Sequence, residues 1–125
     1  MYQNLLVWKK SVRFVSRIYL LTRGFPKSEM FGIIDQSRRA SVSIPTNIAE
    51  GFGRNSRKEF LRFLRYAMGS LFEIQTHLRI SLELNYISQH QYNCFYNDSR
   101  EIERMLSALI NKLVYLETHN MKKPG

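Results

Sequence analysis

Apolar residues recur at intervals of three and four along most of the chain, and the pattern breaks at three places rich in Gly, Pro, Ser and Asn. That spacing is the signature of amphipathic helices, with one face turned inward at about 100° per residue. Four helices are expected, over about residues 4–22, 29–50, 56–84 and 88–116, with a frayed basic tail at 119–125. In helix one, capped by Asn4, two stripes lie side by side. Leu5, Trp8, Val12, Val15 and Tyr19 form one, and Val7, Phe14, Ile18 and Leu21 the other. Together they cover about half the circumference, more than a simple two-layer packing needs. Gly24 to Ser28 is a turn, with Ser28 as the cap of helix two, whose inward candidates are Phe31, Ile34, Ser41, Ile44 and Ile48. Pro45 inside this pattern removes a backbone donor and predicts a kink, and Gly51-Phe52-Gly53 is expected to stop the helix.

Helix three opens on Ser56-x-x-Glu59, a capping-box pattern, and its seam is Phe60, Leu64, Ala67, Leu71, Ile74 and Leu78. Helix four repeats that logic as Ser88-x-x-Gln91, with Phe95, Ile102, Leu106, Leu109, Leu113 and Leu116 inward. No period-two alternation or hairpin signal appears. The expectation is one all-α domain over residues 1–125, an antiparallel up-down-up-down four-helix bundle with helix two kinked near Pro45. Leu61 and Phe72 fall on the flank of helix three and Ile80 nearly opposite its seam. Scattered exposed apolar residues and a subunit interface both account for them. The same excess on helix one favours an interface formed by Val7, Phe14, Ile18, Leu61, Phe72 and Ile80.

Charge changes the picture more than size does. The 125 residues carry 19 Lys and Arg against 10 Asp and Glu, a formal net charge of +9. Such a surface is suited to an anionic partner, first of all nucleic acid. The candidate phosphate-binding residues are Lys10, Arg13 and Arg17 on helix one, Arg38 and Arg39 on helix two, and Arg54, Arg57, Lys58, Arg62 and Arg65 around the start of helix three. Asp35 is placed to pair with Arg38 and Arg39, and Glu50 with Arg54. Asn47 is expected to satisfy backbone groups freed by Pro45, and Trp8 to anchor a core or an interface. No helix-turn-helix, zinc-finger or RNA-recognition pattern accompanies the charge. A basic surface kept only for solubility remains the competing account.

The search for chemistry finds no enzyme, metal or cofactor pattern. A di-iron bundle needs Glu-x-x-His pairs, whereas Glu73 and His77 are one residue too far apart and Glu117 and His119 one too near. His77, His90 and His119 are scattered, and read as surface or satisfied polar groups. The lone Cys94 has no basic neighbour in sequence, reads as a small buried side chain, and fits a reducing compartment. No stretch has membrane-spanning length and the N-terminus lacks the order of a signal peptide, so a cytoplasmic protein is expected.

The run from Arg38 to Gly51, RRASVSIPTNIAEG, resembles a signature of the 23S rRNA intervening-sequence protein family. Leu6-Val7-Trp8-Lys9, Phe25-Pro26, the run Lys58 to Leu64 and the run Gly69 to Glu73 extend the resemblance over almost the whole chain. Phe72 departs from it, where a smaller residue is expected. The resemblance implies a four-helix bundle. Some members are encoded inside insertions in bacterial 23S rRNA genes. The family is similar in fold to the accessory variability protein of diversity-generating retroelements, a basic pentamer that works with nucleic acid and a reverse transcriptase. A homo-oligomer, by that likeness a pentamer, and a nucleic-acid or reverse-transcriptase partner are therefore what the resemblance implies. It supplies no catalytic residues. The alternative from the residues alone is an interaction oligomer with a polypeptide partner.

Overall fold

The computed structural model describes residues 1–119. The expected tail lies, from position 120 onward, outside the described residues. Four α-helices make up the chain in the order α1 (Leu6–Thr22), α2 (Ile33–Gly53), α3 (Arg57–Glu83) and α4 (Gln89–Thr118), with no strand among the described residues. Cross-helix pairs fix how neighbours run. Ser70 donates to Ser43 at 2.8 Å while Ser37 meets His77 at 3.3 Å. Gln75 donates to Ser99 at 3.2 Å while Arg57 meets Glu117 at 3.6 Å. Lys10 pairs with Glu101 and Arg17 with Asp98. In each set the numbers rise on one helix as they fall on the other, so consecutive helices, and α1 with α4, lie in opposite senses.

The interior is built by Ile18, Ile44, Ile48, Leu64, Leu71, Ile74, Ile102 and Leu106, all fully buried. Burying each such side chain stabilises the fold by about 1.5–3 kcal/mol. Between them sit small hydroxyl residues that satisfy themselves on their own helix. Ser11 donates to the Trp8 carbonyl, Thr22 to Ile18, Ser41 to Arg38 and Ser81 to His77, each within 2.9 Å. These side chains let helices approach without leaving a buried polar group unpaired.

Several expectations are corrected by this packing. Val7, Phe14 and Ile18, assigned above to a subunit interface, are buried in the chain's own core, as is Leu61. Of the two stripes on α1 it is theirs that faces inward, and Val12 and Tyr19 are left partly open. Phe72 and Ile80 are 49% and 42% exposed. Helix two begins later than expected. Lys27–Glu29 is a 3-10 turn, Gly32 precedes α2 and Ser28 caps nothing, so Phe31 lies outside the helix and is 93% exposed. Asn4 likewise ends a 3-10 turn and makes no cap, with Leu5 at the boundary of α1. On α4, Leu109, Leu113 and Leu116 are only half-buried.

α2 continues through Pro45 and ends at Gly53, inside the expected glycine motif but past residue 50, and neither glycine takes a left-handed φ. The stop falls at Asn55, whose φ of 59° is left-handed, a conformation asparagine tolerates better than most residues. Gly51 answers a different need. A Cβ placed there would lie 2.5 Å from the Phe63 Cβ. Its glycine lets α2 and α3 touch. Asn47 does not serve the Ser41 carbonyl, the acceptor that Pro45 cannot bond. Its amide donates instead to the Ser43 carbonyl and hydroxyl, both at 2.8 Å.

Candidate nucleic-acid interface

The basic cluster is held at the junction of α2 and α3. Ser56, with extended backbone, caps α3 by accepting from the Glu59 amide at 3.2 Å. The reciprocal half of the expected capping box is replaced. The Glu59 carboxylate turns to Arg62, which grips it through two nitrogens at 2.8 and 2.9 Å and also donates to the Tyr66 hydroxyl at 3.1 Å. The Arg62 hydrogen bond, more than any surrounding charge, holds the Glu59 carboxyl below its ordinary value, and Arg62 is correspondingly raised. The guanidinium groups of Arg54 and Arg62 both lie over the Phe63 ring, at 5.0 and 4.9 Å from its centre. Cation–π contacts and ion pairs thus restrict the motion of these side chains.

Folding divides the ten candidate phosphate-binding residues into two groups. Lys10 and Arg17 are drawn into the seam between α1 and α4 by Glu101 and Asp98, and Arg17 also covers the Phe95 ring. Arg38 bends back to α1, donating to the Thr22 hydroxyl at 2.9 Å and stacking on Tyr19. It therefore does not share Asp35, which pairs with Arg39 alone at 3.0 Å. Arg54 meets Glu50 at 3.4 Å as expected. The Arg57 side chain is only 11% exposed and lies against Glu117 at the end of α4. Arg13, Lys58 and Arg65 are exposed with no carboxylate within 4 Å among the described residues.

Lys58, Arg62 and Arg65 fall at i, i+4 and i+7 on the outer face of α3, where they line one shallow groove with Glu59, Tyr66 and Glu117. Both acids of that groove are engaged, Glu59 with Arg62 and Glu117 with Arg57. What remains is a short cationic edge about 10 Å long at 1.5 Å per residue.

The model of the 23S rRNA-intervening sequence protein family matches residues 3–108. The chain belongs to this family. A crystal structure of a protein of unknown function from the S23 ribosomal protein family, from Bacteroides thetaiotaomicron, is similar to it with a TM-score of 0.79. The two are 31% identical, over 89% of this chain and 99% of that one. Comparison with curated proteins finds no match. The family assignment accounts for the run from Arg38 to Gly51, whose buried residues Ala40, Ser41, Ile44, Pro45, Ile48 and Gly51 this member uses to seat α2 in the bundle.

Other polar groups lie away from this edge. His77 is buried between α2 and α3, bonded to Ser37, and burial pushes its imidazole below the ordinary value against the opposing pull of Glu73. Cys94 is half-buried, and its sulfur lies 3.6 Å from the His90 ring one turn earlier, a basic neighbour that sequence adjacency missed. Trp8 is half-buried with its ring edge-on to Tyr2. Among the described residues no three His, Cys, Asp or Glu side chains are grouped to hold a metal ion, and no helix is long and apolar enough to cross a membrane.

Proposed function

We propose that this protein is a non-enzymatic, oligomeric nucleic-acid-binding module of its family, holding RNA or DNA by its phosphates. The observation that carries the reading is the outer edge of α3, where Lys58 and Arg65 stand exposed, with no carboxylate within 4 Å among the described residues, on either side of an Arg62 fixed by Glu59 and Tyr66. A phosphate needs a cation that has not already been spent on a carboxylate, and this edge presents them in a row. Multiple copies repeat such an edge, and weak contacts gain by multivalency. The exposed Phe72 and Ile80 on the same helix support self-association, since apolar side chains that size are covered at a subunit contact more readily than left in water.

The test is equilibrium binding of a labelled single-stranded RNA across a series of NaCl concentrations, for the natural chain and for Lys58→Gln/Arg62→Gln/Arg65→Gln. Removing three phosphate contacts lowers the slope of log K against log salt by about 2, at about 0.7 per contact on a single strand. Binding that ignores salt, or a variant that binds like the parent, refutes the reading. Native mass measurement reads the subunit count, and a monomer refutes the oligomer.

A further inference from the structure

The helices differ in length, and the difference opens one end of the bundle. The pairing of Lys10 with Glu101 sets the first turn of α1 level with about Met105, yet α4 continues to Thr118. That overhang is about 20 Å at 1.5 Å per residue. Along it, the place a fourth helix would occupy is a groove walled by Phe52 at the end of α2, Phe60 at the start of α3, and Leu109, Leu113 and Leu116 of α4. No residue of α1 lines it.

We propose that this trough docks an acidic amphipathic helix of about four turns from a different protein. The shape favours a helix, because three helices supply the walls and the leucines at i, i+4 and i+7 present a ridge for an apolar stripe to interlock with. Charge selects an acidic one. The charged residues lining the groove are Lys112 and Arg57, with no carboxylate among the lining. Glu117 already meets Arg57, and Lys112 has no carboxylate within 4 Å among the described residues.

A second copy fits poorly. A two-fold contact sets Lys112 and Arg57 against their own equivalents. A neighbour's α1, the helix whose place is open, brings Lys9, Lys10, Arg13 and Arg17 and no acid. Nucleic-acid bases fit poorly as well. The α4 wall is leucine, and Phe52 meets Phe60 edge-on at 90°, which leaves no pair of parallel faces for stacking.

The probe is a designed 14-residue fluorescein peptide with leucines along one helical stripe and glutamates opposite, beside the same peptide with lysines in place of the glutamates. Fluorescence anisotropy is followed at 0.1 M NaCl. The glutamate peptide is expected to bind and the lysine peptide to bind at least about ten-fold more weakly. Leu113→Glu is expected to cost about ten-fold or more, and the exposed Lys112→Glu about three-fold, with melting by circular dichroism confirming that both fold. Equal binding of the two peptides, no binding of either, or unchanged binding by Leu113→Glu overturns the proposal. Displacement of the peptide by an unlabelled oligouridine assigns the trough to nucleic acid, and loss of subunit association in Leu113→Glu assigns it to a second copy. Either result also overturns it. The α3 triple variant is the independent control, since loss of RNA binding there leaves peptide binding in place.

Discussion

Replacing Gly51 by alanine asks whether the contact between α2 and α3 needs a missing side chain. The added methyl lies 2.5 Å from the Phe63 Cβ and 3.3 Å from the Phe63 Cγ and Phe60 Cδ1. A Cβ has no torsion with which to move aside, so the helices themselves must separate. Trimming the ring with Phe63→Ala gives no relief, because alanine keeps the offending atom. Overpacking of this kind costs about 1–3 kcal/mol, and here the rigid contact places it in the upper half of that range. Alanine returns about 1 kcal/mol of helix propensity. The net loss is about 1–2 kcal/mol, which lowers the melting temperature by roughly 4–8 °C for a chain of this size.

Gly53 supplies the control. It ends the same helix, has no positive φ, and an added Cβ meets nothing within 4 Å. Gly53→Ala is therefore expected to stabilise by about 0.5–1 kcal/mol. Urea unfolding followed at 222 nm, with equal slopes for the two variants and the parent, reads both signs. A Gly51→Ala protein as stable as the Gly53→Ala protein refutes the close approach of α2 and α3 and, with it, the seating of Phe63 beneath Arg54 and Arg62.

Ser88 accepts from the Gln91 amide at 3.1 Å while Gln91 accepts from the Ser88 amide at 2.9 Å, so Ser88→Ala is expected to cost about 1 kcal/mol. Urea unfolding reads the loss, and faster amide exchange confined to the first turn of α4 places it. His77 makes folding pH-dependent. Its imidazole titrates lower folded than unfolded because burial penalises the charged form, so the unfolded chain binds the proton first. Its contribution is full above the unfolded value of about 6.5 and is lost as pH falls through that value toward the folded one. Urea midpoints between pH 7.5 and 5 should fall for the parent and fall less for His77→Gln, and equal slopes would sink this assignment.

The parts of the fold that were legible are those set by local chemistry. The serine caps announce α3 and α4, and the seam from Phe60 to Leu78 has one stripe with polar residues around it. The phase of α1 was not legible in that way. Val7, Phe14 and Ile18 compete with Trp8, Val12 and Tyr19 on equal terms until α2 and α4 choose between them. Gly51 misled for a related reason. A glycine near a helix end signals a stop or a close approach with the same letter, and only the position of Phe63 tells which. The stop had moved to Asn55, where a left-handed residue was needed. For the site, i+3 and i+4 partners such as Glu59–Arg62 and Glu50–Arg54 are visible along a helix. The partners of Lys10, Arg17 and Arg57 are 91, 81 and 60 positions away in the chain, beyond any local pattern.

Those distant pairs bear on how a formal charge of +9 is to be understood. Counting charge by sequence density puts the centre of the basic surface at Arg54 to Arg65, with the lysines and arginines of helix one beside it. Folding removes Lys10 and Arg17 from that total by turning them toward α4, and Arg38 by turning it onto Tyr19. A chain needing charge only to stay dispersed gains nothing from where the surplus ends, because self-repulsion depends on the net value. A phosphate contact depends instead on a particular side chain left without a carboxylate. On α3, Lys58 and Arg65 have no carboxylate within 4 Å among the described residues, on either side of a braced arginine, and there the two accounts of the charge part company.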